Sequence, residues 1–172
     1  MDFLAHGLWG GAAFGRQRRH SWKWAFFLGM APDLLAFGPA IIVGIIVGDF
    51  ISWANWPKNG IPTTSINVYS FYAYHVTHSL VVWAMIAFGL WRWKRRFPWA
   101  FAASALHILC DIPLHSVRYF PTPYLWPFHT PIHDGTPWAN ARFMLANYSL
   151  ISLAYLVFAV RNYCSRRSER DT

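Results

Sequence analysis

Three basic clusters set between long apolar stretches constrain this chain more than any other feature. Arg16, Arg18, Arg19 and Lys23 form the first, Arg92, Lys94, Arg95 and Arg96 the second, and Arg161, Arg166, Arg167 and Arg170 the third. Only Lys58, Arg118 and Arg142 stand outside them. A nucleic-acid-binding domain gathers its cations on one face or stripe. Cations at the ends of apolar segments instead follow the charge rule of membrane proteins. No nucleic-acid partner is expected. Composition agrees: hydrophobic residues make up 55% and charged residues 13%, where soluble domains carry roughly 25% charged residues.

Residues 3 to 15 read as a short apolar helix, below the roughly 20 residues that a span requires. Residues 24 to about 50, 71 to 91, about 98 to 117 and 143 to 161 read as spans, the first broken by Pro32, Asp33 and Gly38-Pro39. Residues 51 to 70, with Trp53, Trp56, Pro57, Gly60 and Pro62, read as an interfacial loop. Five prolines between 118 and 142 exclude a regular helix there. The predicted fold is therefore all-α: an integral membrane helical bundle of about four transmembrane spans plus a short N-terminal helix, one domain over residues 1–172. All three clusters then fall on one side, which puts both termini in the cytoplasm. Met1-Asp2-Phe3 lacks the basic start of a secretory signal, so no cleavage is expected. Cys110 and Cys164 are too few for a disulfide framework.

Ionisable residues inside spans are costly and mark functional sites by default. The apolar segments hold His6, Asp33, His75, His78, His107, Asp111 and His115. His6 precedes Arg16 by ten residues and Asp33 follows Lys23 by ten, about 15 Å from the basic edge in each case. His78 lies about 21 Å from Arg92, and His107 about 16 Å from Arg96. Four segments thus bring His or Asp to similar depth. Imidazole nitrogens and carboxylate oxygens are ligands of zinc and similar divalent ions. His107-x-x-x-Asp111 shares one helix face, His115 extends that stripe by a turn, and His75-x-x-His78 shares another. A plainer account of single residues stands beside this one. His107 and Asp111 can pair across a turn, Asp33 after Pro32 can be a turn residue, and His129 and His133 lie in a proline-rich loop.

Leu4-Ala5-His6-Gly7, Gly29-Met30-Ala31-Pro32-Asp33, Thr77-His78-Ser79-Leu80, His107-Ile108-Leu109-Cys110-Asp111 and Leu125-Trp126-Pro127-Phe128 occur in this order. In that order they resemble the inner-membrane-associated metal-dependent hydrolases, a bacterial family that includes a DNA-damage-regulated member. The resemblance covers most of residues 4 to 128. It implies a multi-span protein of the bacterial inner membrane with metal ligands at His6, Asp33, His78, His107 and Asp111. The His-x-x-x-Asp element is also similar to one in zinc-dependent phospholipases C, which suggests phosphoester chemistry. Leu34, Leu35 and Ala36 stand where members often carry a second Asp and a His.

Together these features predict a membrane-embedded hydrolase that uses a metal-activated water. Zinc is the first expectation for the cofactor, with manganese or iron as alternatives. His75 or His115 is the candidate general acid or base, since imidazole titrates near neutrality. The depth of the ligands favours a membrane lipid or a lipid-linked substrate. A metal-ion transporter and a non-enzymatic membrane protein are the rival readings. Trp22, Trp24, Phe26, Phe27, Trp91 and Trp93 crowd the basic edge and disfavour a polar pore. The Pro121–Pro137 loop is expected to fold back over the ligand layer as a lid. Reporter fusions at residue 20, near residue 58 and at the C-terminus test the sidedness. The first and last should report the cytoplasm and the middle one the opposite face; a cytoplasmic signal near Lys58 overturns four spans.

Overall fold

The computed structural model describes residues 1–16, 21–47, 65–116, 121–129, 131 and 133–168. Arg18, Arg19, Arg118, Arg170 and the loop carrying Trp53, Trp56 and Lys58 lie outside them. The described residues form helices α1 (Phe3–Phe14), α2 (Ser21–Val47), α3 (Ser65–Thr77), α4 (Leu80–Lys94), a 3-10 turn (Trp99–Phe101), α5 (Ala102–Leu114) and α6 (Ala141–Ser168). They fall into two compact units, Met1–Trp138 and Ala139–Thr172.

Two helices are long and apolar enough to cross a membrane, Ser21–Ile46 and Ala141–Ser168. A third crossing is available if Val68–Thr77 and Leu80–Lys94, bent by 60°, act as one broken span. Trp99–Leu114 is apolar but shorter. The all-helical expectation therefore holds among the described residues, with two long spans, or three counting the bent pair.

In the first unit, α2 packs against α1, α3 and α5. Its buried positions, Ala25, Gly29, Pro32, Ala36 and Ala40, recur every three or four residues and form one small-residue stripe. Glycines let α1 approach closely. A Cβ on Gly29 would sit 2.7 Å from the His6 carbonyl, and one on Gly10 would sit 2.7 Å from the Ala25 carbonyl. Ile42, Ile45 and Ile46 face outward, as expected of a helix surrounded by lipid.

The prolines do not break α2, contrary to the sequence expectation; Pro32 and Pro39 lie inside one continuous helix. Each removes the amide that would bond the carbonyl four residues earlier, and those carbonyls are Leu28 and Leu35. Both find hydroxyl donors on neighbouring helices. Ser104 Oγ donates to Leu28 O at 2.7 Å, and Tyr69 Oη donates to Leu35 O at 2.8 Å. Rescue of this kind is what makes proline tolerable where water is scarce.

The α3–α4 bend falls at His78-Ser79. Ser79 caps α4 by accepting from Val82 N at 3.2 Å. Its hydroxyl donates to the Trp126 carbonyl, and Leu80 N donates to Tyr124 O at 2.9 Å. The 121–128 loop thus supplies acceptors for the donors that the bend leaves without helical partners. Farther along, Gly135 N and Thr136 N donate to His115 O and Pro113 O, both at 2.9 Å. A Cβ on Gly135 would fall 2.2 Å from the Pro113 carbonyl, so only glycine fits this approach.

The second unit is α6, capped by Asn140, whose Oδ1 accepts from Arg142 N at 2.9 Å. Leu145, Leu150, Leu153, Leu156 and Val160 are exposed along it, and Arg166 and Arg167 lie in its last turn.

Ser104→Ala should lower stability by about 1–3 kcal/mol, the cost of an unsatisfied buried carbonyl. The loss should shrink in a Pro32→Ala background, which restores the amide donor to Leu28. Unfolding in detergent micelles measures both; an equal loss in the two backgrounds means the hydroxyl does not replace the missing amide.

Candidate metal centre

α5 carries the centre because one face of it is buried. Ala103, Ser104, His107, Ile108 and Asp111 are all covered, and His115 follows one turn later as the C-cap. Asp111 has no exposed surface. Around it lie His107 from the preceding turn, His78 from the α3–α4 bend and Asp33 from α2.

Asp33, His78, His107 and Asp111 each offer one ligand atom, and the four atoms lie within 4.8 Å of one another. The imidazole nitrogens His78 Nε2 and His107 Nε2 are 3.1 Å apart. Asp111 Oδ2 is 3.2 Å from His107 Nε2 and 3.6 Å from His78 Nε2. Asp33 Oδ1 is 3.4 Å from His78 Nε2 and 3.7 Å from His107 Nε2. Ligand atoms around a tetrahedral ion, each at about 2.0–2.1 Å, are separated by about 3.3–3.4 Å. The five distances that involve a histidine nitrogen, from 3.1 to 3.7 Å, bracket that spacing.

The hydrogen bonds behind the rings sharpen the match. His107 Nδ1 lies 2.7 Å from Gly29 O, and His78 Nδ1 lies 3.2 Å from Tyr74 O. A carbonyl only accepts, so His107 Nδ1 carries the proton and its Nε2, in the neutral ring, holds a lone pair; His78 Nδ1 lies 3.0 Å from the Thr77 hydroxyl as well as near the Tyr74 carbonyl. The lone pair of His107 Nε2 faces His78 Nε2 at 3.1 Å. Asp111 Oδ2 is buried and has no hydrogen-bond donor. A cation among the four atoms would relieve the burial of two carboxylates so close together. Backbone carbonyls that fix the ring tautomer are the usual support of histidine metal ligands. These residues could hold a divalent metal ion.

The other sequence-selected residues divide. His6 is fully buried beside the centre, its ring stacked on His107 with centroids 3.6 Å apart. Its Nε2 lies 2.9 Å from Asp111 Oδ1, on the side of the carboxylate away from the four-atom group, and makes no hydrogen bond there. The Met1 amino group lies 2.7 Å from the same oxygen, and Met1 is buried. The basic turn at Arg16, rather than Met1 itself, is thus the first exposed cationic position. His115 Nε2 is 3.9 Å from Asp111 Oδ1. His75 stands apart: its Nδ1 is held by Phe71 O at 2.8 Å, and its ring leans on Phe71.

Sequence reasoning missed two residues. Tyr74 is buried, stacks on His78 at 3.9 Å, and its hydroxyl meets His115 Nδ1 at 2.8 Å. Its place four residues before His78 was the available signal. Thr122 Oγ1 lies 3.4 Å from the same nitrogen, and no spacing could have paired it with His115. The loop expected to act as a lid does lie against the centre, through Thr122 at His115 and through the Trp126 carbonyl at Ser79.

Comparison of the chain with protein-family models, curated proteins and solved structures gives no match.

Asp33→Asn and Asp111→Asn keep side-chain size but remove the anionic ligand. Each should lose most of the bound ion after purification and reloading with zinc, measured as metal per protein. His75→Ala should retain wild-type content. Full occupancy in both Asn variants would show that the carboxylates serve structure alone.

Proposed function

We propose that this protein is a membrane-embedded, metal-dependent hydrolase acting on a phosphoester of a lipid or lipid-linked substrate. The observation that carries the proposal is the convergence of Asp33, His78, His107 and Asp111, whose four ligand atoms lie within 4.8 Å of one another beside a buried Asp111 oxygen without a hydrogen-bond partner. The ordered motifs shared with the inner-membrane metal-dependent hydrolases support the same reading.

Asp33, His78, His107 and Asp111 would hold the ion, with zinc the first choice for this nitrogen and oxygen donor set. A bound ion supplies Lewis acidity and a water of lowered pKa. The remaining roles fall to the chain. Asp111 directs one oxygen at the ligand group and the other at His6 and His115. His115 is the group placed to hold or pass a proton beside the centre, steadied through Nδ1 by Tyr74 and Thr122. His75, outside the ligand group, is not the proton carrier in this proposal. The apolar helices around the centre exclude water, which strengthens its electrostatics.

In the same proposal the chain crosses the bacterial inner membrane four times, through α2, the bent α3–α4 pair, the short α5 and α6. The three basic clusters and the C-terminal tail face the cytoplasm. From Trp99 to Leu114 the helix covers about 24 Å, so its His115 end stops short of the far interface, where the 121–138 loop meets it.

Protein stripped with chelator and reloaded with zinc or manganese in nanodiscs should hydrolyse phospholipids, read by mass spectrometry of the products. His115→Ala should lower the rate by about 10²–10⁴-fold without lowering metal content. Metal-loaded protein that releases no product but carries zinc across proteoliposomes would be a transporter instead.

A further inference from the structure

A cavity of about 330 Å³ is lined by His75, Thr122, Trp126, Phe128 and His129 among prolines of the 121–131 loop. Its size is that of a small-molecule site. It adjoins the centre through a short chain of contacts. Thr122 lines it and touches His115 Nδ1 at 3.4 Å, and His115 Nε2 in turn lies 3.9 Å from Asp111 Oδ1. The wall is held in place, because Ser79 and Leu80, immediately after the ligand His78, bond the carbonyls of Trp126 and Tyr124.

The chemistry of the lining selects its occupant. Among the described residues its lining contains no Lys, Arg, Asp or Glu, so a group entering with full charge meets no counter-ion from them when it leaves water. It does contain hydrogen-bonding atoms. His75 Nδ1 is committed to Phe71 O, which leaves Nε2 as an acceptor turned away from that bond. The Thr122 hydroxyl and the His129 imidazole add further partners. A quaternary ammonium could lie against Trp126 and Phe128, but it has no N–H or O–H to give these atoms. An uncharged, hydroxyl-bearing group satisfies both parts of the lining, with its C–H face on the indole and prolines and its hydroxyls on the imidazoles and Thr122.

The geometry points to this cavity as a binding site for the polyol headgroup, glycerol or a sugar alcohol, of a phosphoester whose phosphate lies at the metal centre. The inference rests on the hydrolase proposal for the phosphate position; the headgroup preference is its own content. The free polyol and the lipid headgroup share this chemistry, and the experiment separates them.

Short-chain phosphatidylglycerol, phosphatidylcholine and phosphatidylserine are titrated into zinc-loaded full-length protein in detergent by calorimetry, with free glycerol as a fourth arm. Phosphatidylglycerol should bind at least tenfold more tightly than the other two lipids. His75→Phe and Trp126→Ala should bring the three lipids to within about threefold of one another while metal content stays at the wild-type value. Equal binding of the three lipids by wild type, preference for choline, or full retention of the preference in both variants overturns the inference. Binding of free glycerol as tight as that of the lipid overturns the lipid headgroup as the source. Hydrolysis is followed separately. A polyol preference without turnover refutes the hydrolase proposal and leaves the cavity assignment standing, whereas equal turnover of all headgroups does the reverse.

Discussion

One buried carboxylate organises the first unit. Asp111 has no solvent contact, and an unpaired charge so placed would cost several kcal/mol. Its oxygens are met by His6, His78, His107, His115 and the Met1 amino group. These groups come from α1, the α3–α4 bend and α5, so one carboxylate gathers those elements around it. The close approach of α1 to α2 at Gly10 and Gly29 is what brings His6 within reach. The same needs favour a cation at the centre, since a bound metal would satisfy both carboxylates and both imidazoles at once.

Backbone hydrogen bonding is the second constraint, and it works in the same direction. Helices in apolar surroundings cannot leave carbonyls bare. Pro32 sits next to the candidate ligand Asp33, and the carbonyl it orphans is taken by Ser104, three residues before the candidate ligand His107. The neighbouring carbonyl, Gly29 O, orients His107 itself. The proline-containing turn of α2 beside Asp33 and helix α5 are thus joined at two successive carbonyls. At His78 the same logic applies: the chain bends, and the 121–128 loop repairs the bend while forming the wall of the adjoining cavity. Departures from regular helix gather where ligands are positioned, which is the usual place for irregular backbone inside membrane proteins.

This arrangement separates two chemical tasks over a short distance. The four-atom group is anionic and nitrogen-rich, suited to a cation. The cavity beyond His115 is lined, among the described residues, by aromatic rings, prolines, imidazoles and the Thr122 hydroxyl. Tyr74 joins them by stacking on His78 while bonding His115. A substrate whose two ends differ in this way can be oriented by the protein without large motion, which is how positioned binding groups contribute to rate.

Several features were legible in the sequence because they depend on local spacing. The alternation of apolar stretches and basic clusters gave a helical membrane protein, and helix periodicity placed His107, Asp111 and His115 on one face. Depth from the basic edge singled out Asp33 and His78 as well, because rise per residue is fixed. The long-range partners were decided by tertiary structure alone. Nothing in residue spacing says that Ser104 would replace an amide lost at Pro32, so the apparent break in α2 became a continuous helix. His75 and His78 share a helix face on paper, but the bend after His78 turns one toward the ligands and leaves the other at the cavity. His6 reached the centre on the far oxygen of Asp111, because helix packing sets which side of a carboxylate each neighbour meets. Periodicity fixes which residues share a face; what that face meets depends on contacts between segments distant in the chain.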